Sequence, residues 1–183
     1  NRAERHFTKI LSELSTVNSR MDASNILAFD DPELGKYPVA YVSEPGFWNP
    51  TEEEAAGARA YLQKGGFIIF DDFARNDIFN HESQLRRVLP EARMLPIGLE
   101  HPIWDSFYRI ESLDYYHPLM GLKSIFFGIF ENNDPTKRLM AVINYNNDIG
   151  EYWEFSDTGF FPIDLSNEAY KIGVNYIVYA LTR

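Results

Sequence analysis

The stretch "GGFIIFDDFARND", Gly65 to Asp77, runs from two glycines through an uninterrupted apolar segment into two adjacent aspartates. Phe67–Phe70 does not alternate apolar with polar residues, so it reads as a strand covered on both faces, as in parallel sheets. Gly65 stands where a helix C-terminal cap would fall, and the helix before it is well marked. Thr51 precedes Glu52, Glu53 and Glu54, which gives Thr51 and Glu54 the spacing of a capping box. Three acids in the first turn also suit the positive end of the helix dipole. Ala55, Ala58, Tyr61 and Leu62 form its apolar stripe. Upstream, "VAYVS" (Val39–Ser43) is a second unalternating strand. Strand, helix and strand over this span make a parallel, right-handed βαβ unit.

Working outward, Phe7, Ile10, Leu11, Leu14 and Val17 fall on one face of a helix over Glu4–Val17. A short strand is expected at Asn25–Phe29, a helix at Glu82–Leu89 and a strand near Arg93–Leu95. Ser124–Phe130 and Leu139–Tyr145 are strongly apolar and are joined by the turn-rich "ENNDPTKR", so they read as an antiparallel hairpin. "NNDIGEYWEFSDTGFFP" (Asn146–Pro162) reads as a long loop. The last helix carries Ala169, Ile172, Gly173, Tyr176, Ile177 and Ala180 as its stripe, with Ser166 the expected N-cap. No repeat or boundary divides the chain, so a single α/β domain over 1–183 is expected.

The composition narrows the function. Of 183 residues, 45% are hydrophobic and 15% aromatic, enough for a substantial core. Seventeen basic against 27 acidic residues leave a formal charge of −10, which disfavours nucleic acid and anionic membrane surfaces as partners. The densest basic cluster, Arg86-Arg87 with Arg93, reads as a solvated helix face and its exit. With no cysteine there is no disulfide framework, thiolate metal site or cysteine nucleophile. No apolar run approaches the ~18 residues of a membrane span. The glycine loops of nucleotide-binding folds, a serine nucleophile elbow and a zincin histidine pair are all missing. The four histidines are scattered.

In open α/β sheets, ligands bind beyond the carboxyl ends of the parallel strands. One such end carries Glu44 and Trp48, the other Asp71 and Asp72. Adjacent strand residues point to opposite faces, so only one of the two aspartates is expected in the crevice, while the other caps the following turn. His101, held extended by Pro102, reads either as the cap of a short helical turn or as a base or metal ligand. Asn144–Glu154 offers either turn-forming amides or a polar pocket rim. In the second reading Asn146 and Asp148 supply polar groups, and Trp48 and Trp153 apolar platforms. Asp71, Asp72 and His101 are thus the candidate catalytic residues. Glu44, Trp48, Asp72, His101, Asn146, Asp148 and Trp153 are the candidate ligand-binding set, and neither a metal nor a cofactor is expected.

Several stretches taken together, "AERHFTKILSELSTV", "DDPELGKYPVAYVSEPG", "TEEEAAGARAYLQKGGFIIFDDF", "HPIWDSFYRI", "RLMAVINYNNDIG" and "YKIGVNYIVYALT", resemble a bacterial domain-of-unknown-function family, number 4159, in order and over nearly the whole chain. The resemblance implies a class I glutamine amidotransferase-like fold: a flavodoxin-like three-layer αβα sandwich, its sheet mainly parallel with an antiparallel hairpin at one edge. It also implies an exported protein, periplasmic or otherwise exported, with a strand and an N-terminal segment ahead of the first residue here. True amidotransferases keep a nucleophilic cysteine on the elbow that would fall at or beside Asp71-Asp72. A carboxylate cannot replace that thiolate, so glutaminase chemistry is excluded. Two functions stay open: a non-catalytic domain binding a small polar ligand or a partner protein, and a hydrolase using Asp and His, possibly metal-assisted.

Overall fold

Helix α1 covers Arg2–Leu14 and lays Phe7 and Leu11 into the core. Strand β1 (Val39–Ser43), helix α2 (Glu52–Gln63) and strand β2 (Phe67–Phe73) follow. Next come helix α3 (Asp77–Val88), the two-residue strand β3 (Leu95–Pro96), strand β4 (Ile125–Phe130) and strand β5 (Leu139–Tyr145). Helices α4 (Ile149–Glu154) and α5 (Ile163–Thr182) complete the chain. The computed structural model describes residues 2–17, 19 and 25–183; the remainder of the expected 1–183 domain lies outside the described residues.

The capping box is formed as the spacing predicts. Thr51 N donates to Glu54 Oε2 at 2.7 Å, and Glu54 N to Thr51 Oγ1 at 3.1 Å. Gly65 sits at φ 106°, a conformation other residues rarely adopt, and so ends α2 and turns the chain into β2. β1 and β2 pair in parallel, completing the βαβ unit.

The five strands lie in the order β1-β2-β5-β4-β3. β1–β2 and β2–β5 are parallel, whereas β5–β4 and β4–β3 are antiparallel. The sheet is therefore mixed rather than mainly parallel. The expected hairpin is present but not at the edge. β5 is the central strand, every residue but the last buried, because its all-apolar run can be covered from both sides.

Helices pack on both faces. On one, Ala58, Tyr61 and Leu62 of α2 and Leu85 of α3 meet Ile68 and Phe70. On the other, Phe7 of α1, Trp153 of α4 and Ile172 of α5 meet Phe67 and Ile69. The alternation along β2 thus feeds two separate cores.

Several local expectations are corrected. Asn25–Ala28 form no strand; Phe29 instead packs its ring 5.8 Å from that of Trp48. α3 starts five residues before Glu82, at Asp77. The long loop contains α4, whose first turn is capped by Asp148 accepting from Glu151 N at 2.8 Å. α5 begins at Ile163 after Pro162, so Ser166 lies inside the first turns and is buried rather than capping.

Candidate functional site

At the end of β2 the register with β5 shifts between Phe70 and Phe73, a bulge that contains Asp71 and Asp72. Asp72 takes φ 63°. A bulge re-aims side chains that a regular strand would send to opposite faces. Both aspartates consequently turn to the same face, contrary to the expectation from strict alternation. Asp71 accepts from Tyr41 Oη at 2.5 Å, and Asp72 from Ser43 Oγ at 3.0 Å. Tyr41 and Ser43 are two apart on β1 and so share that face.

Asp71 is fully buried and serves as an anchor. It also accepts from Asn144 Nδ2 at 3.0 Å and from Gly150 N at 3.0 Å, and Tyr176 Oη donates to Asn144 Oδ1 at 2.8 Å. One carboxylate thereby ties β1, β5 and the start of α4 together. Gly150 is required at this junction, since a Cβ there would lie 2.8 Å from Tyr41 Oη.

In front of Asp71 opens a cavity of about 400 Å³. Glu4, Asp72, Asp148, Glu151 and Glu154 line it, with Tyr41, Phe7 and Trp153 as aromatic wall. Trp153 stacks on Phe7 with ring centroids 4.4 Å apart. The charges that surround the cavity reinforce one another. Burial, then the charges of Asp71 and Asp72, push the Asp148 carboxyl up to about 9. Burial also raises Asp72, with Asp71 and Glu44 adding to it, while hydrogen bonds from Ser43 and Asp148 draw it back down. Asp148 therefore keeps its proton at neutral pH, beside an Asp72 that is itself raised. Glu151 is raised by burial and by Glu154 and Asp72. Burial and the neighbouring Asp71 lift the Tyr41 hydroxyl well above its ordinary range.

Four non-glycine residues with positive φ gather at this end of the sheet: Glu44 (52°), Asp72, Arg75 (56°) and Asn146 (55°). Such conformations cost about 1–3 kcal/mol each and concentrate at functional sites, least so for Asn and Asp.

The remaining sequence candidates separate. Glu44 lies exposed at the rim, its N–H donating to Asp71 O. Asn146 fastens the loop after β2, its Oδ1 accepting from Arg75 N at 3.0 Å. Trp48 packs on Phe70, in the core of the opposite face, so it and Trp153 cannot form one platform.

His101 is not brought to the acids. Its ring lies 5.6 Å from that of Phe130, which pairs with Leu139 at the start of β5, whereas the acids stand beyond the strand's other end. There His101 Nδ1 accepts from Ile103 N at 3.2 Å and caps a helical turn. It borders a larger cleft, about 630 Å³, whose charges are mixed: Glu100, Asp105 and Glu111 with Arg109 and Arg183.

The histidine nearer the acids is His117, which sequence reasoning passed over although it too precedes a proline, Pro118. It is buried, its Nδ1 accepting from Leu119 N at 3.2 Å. Burial lowers its pKa against the pull of Asp71. Among the described residues no three histidine or carboxylate side chains converge in a metal-holding arrangement, and no helix is long and apolar enough to cross a membrane.

Fold and site together define an α/β protein with an open mixed sheet and an acid-lined cavity beyond the carboxyl ends of its parallel strands. Among family profiles, the one described as domain of unknown function (DUF4159) matches residues 1–181. The chain belongs to that family. No curated protein matches the chain.

Proposed function

We propose that the chain is a non-catalytic binding domain whose site is the acid-lined cavity, and that it takes a positively charged group, carried by a small polar ligand or by a partner protein. The observation that carries this reading is the one-signed charged lining of the cavity, with Asp71 behind it; among the described residues no ion pair engages Asp72, Asp148, Glu151 or Glu154. Aromatic walls favour an organic cation with an apolar stem. Lineage from the class I glutamine amidotransferase-like fold, of flavodoxin type, and export, to the periplasm or otherwise, belong to the same proposal. The lineage rests on the resemblance and on where the acids stand after the βαβ unit, and export on the resemblance alone.

The test is a thermal-shift panel of alkylamines, alkylguanidines, neutral alcohols and carboxylates on wild type, Asp72→Asn and Asp148→Asn. Amines and guanidines should raise the Tm of wild type, and Asp72→Asn should lose most of the shift. Because a bound cation favours ionised carboxyls, it displaces the Asp148 proton, and affinity should rise from pH 6 towards 9. A shift unchanged in Asp72→Asn, or one given only by carboxylates, refutes the reading.

A second reading is favoured by one observation, the carboxyls of Asp72 and Asp148 lining one cavity, both raised by burial and by Asp71. Two neighbouring carboxyls whose pKa values are raised are equipped to act as general acid and base in hydrolysis. Its mark is a bell-shaped pH–rate profile with turnover abolished in both Asp72→Asn and Asp148→Asn. Absence of turnover across ester, amide, glycoside and phosphoester probes removes it.

A further inference from the structure

The cavity borders the outermost strand of the sheet. Among the described residues β1 pairs with β2 alone, and its residues Val39, Tyr41 and Ser43 line the cavity. The direction of its backbone groups follows from two bonds: Phe67 N donates to Pro38 O, and Glu44 N donates to Asp71 O. Backbone groups alternate sides along a strand, so Pro38, Ala40, Val42 and Glu44 face β2, while Val39, Tyr41 and Ser43 turn their N–H and C=O outward. Among the described residues no backbone bond reaches those outward groups. Tyr41 and Ser43 are exposed. An unpaired strand edge is a template for another extended chain.

A strand laid along β1 would stand ~4.8 Å away and send alternate side chains to the same face as Val39, Tyr41 and Ser43. That face holds the acid-lined space. The partner that fits carries positive charge where the cavity carries negative. A second copy of this chain does not, since it has a net charge of −10 and acids at the same edge.

We propose that β1 is a docking edge for an extended segment of a partner protein, which adds a strand to the sheet and places one lysine or arginine side chain in the acid-lined cavity. This rests on the reading of the cavity as a cation site. The aliphatic stem of the basic residue lies along Tyr41 and Trp153, and its charge meets Asp72 and Glu151. Main-chain pairing to β1 supplies affinity, and the cavity supplies selectivity for the basic position.

The experiment is selection of a random heptapeptide display library on the whole chain, followed by amide hydrogen exchange with the best synthetic peptide. Enriched peptides should carry a lysine or arginine flanked by β-branched or aromatic residues. They should slow exchange at Val39, Tyr41 and Ser43 at least tenfold and bind at least tenfold more weakly to Asp72→Asn. Asparagine tolerates the left-handed backbone at this position, and an unchanged Tm and amide spectrum would verify that Asp72→Asn is folded. n-Butylamine separates the two levels of the argument. If it binds at Asp148 and Gly150 while no peptide protects β1, strand pairing is overturned and the cation cavity stands. If neither binds, both fall. Enrichment of acidic or neutral peptides also overturns the proposal.

Discussion

Among the concave regions that hold charged side chains, two stand at opposite ends of the same sheet and behave differently. The larger, around His101, mixes Glu100, Asp105 and Glu111 with Arg109 and Arg183, so its charges neutralise one another. The smaller carries carboxyls as its only charged groups, and burial and mutual repulsion push Asp72, Asp148 and Glu151 towards their protonated forms. Size therefore points one way and electrostatics the other. Among the described residues Asp72, Asp148, Glu151 and Glu154 form no ion pair, and a one-signed, desolvated lining is what a binding site for an opposite charge requires.

The largest effect that sharpens the contrast should come from Asp71→Ala. It leaves the Tyr41 hydroxyl, the Asn144 amide and the Gly150 N–H buried without their acceptor. Chemical denaturation should show a loss of roughly 3–5 kcal/mol; a loss under about 1 kcal/mol would deny Asp71 its anchoring part.

Next is the pH dependence of Asp148. Its folded value of about 9 exceeds the ordinary carboxylate value, so the folded state binds more protons between about 4 and 9 and stability falls as pH rises through that window. From pH 6 to 9 the decline should be roughly 3–4 kcal/mol, and Asp148→Asn, which keeps the cap, should flatten it. A wild-type profile that is already flat would break the comparison.

His81 separates burial from the presence of a cavity. It is fully buried on the α2–α3 face against Phe70 and Phe73, both ring nitrogens lack partners, and burial lowers it to about 4. The unfolded state binds more protons between about 6.5 and 4, so stability is lost as pH falls through that window. His81→Leu should stabilise the protein by roughly 1 kcal/mol at pH 7, and by more at pH 5, because an unpaired polar group leaves the core. Equal destabilisation at both pH values would contradict this.

The smallest effect belongs to His101→Ala, which removes one cap contact and part of a ring packing. Stability should fall by about 1 kcal/mol or less, and the response to amines should not change. An abolished amine response would move the site to the other end of the sheet.

Much of this contrast was legible in the residues, for local reasons. The Thr51–Glu54 box, Gly65 and the apolar run after it place Asp71 and Asp72 at a strand end without tertiary knowledge. What was hidden depended on distant partners. The bulge that turns both aspartates to one face is set by pairing with β5 and by Tyr41 and Ser43 of β1. α4 contains Gly150 and is only six residues long, too short to declare itself by periodicity; Asp148 capping and Trp153 packing hold it. His101 and His117 share the same dipeptide with proline, and only the path of the chain decides which lies nearer the acids. Trp48 and Trp153 looked like a pair until the parity of β2 set them on opposite faces.

The carboxyl titration of Asp148, followed by carbon-13 NMR in the free protein and with saturating n-butylamine, tests the central claim most directly. Asp148 should titrate near 9 in the free protein and move down by at least one unit when the amine is bound. A titration among ordinary carboxylates near 4, unmoved by the amine, would contradict it.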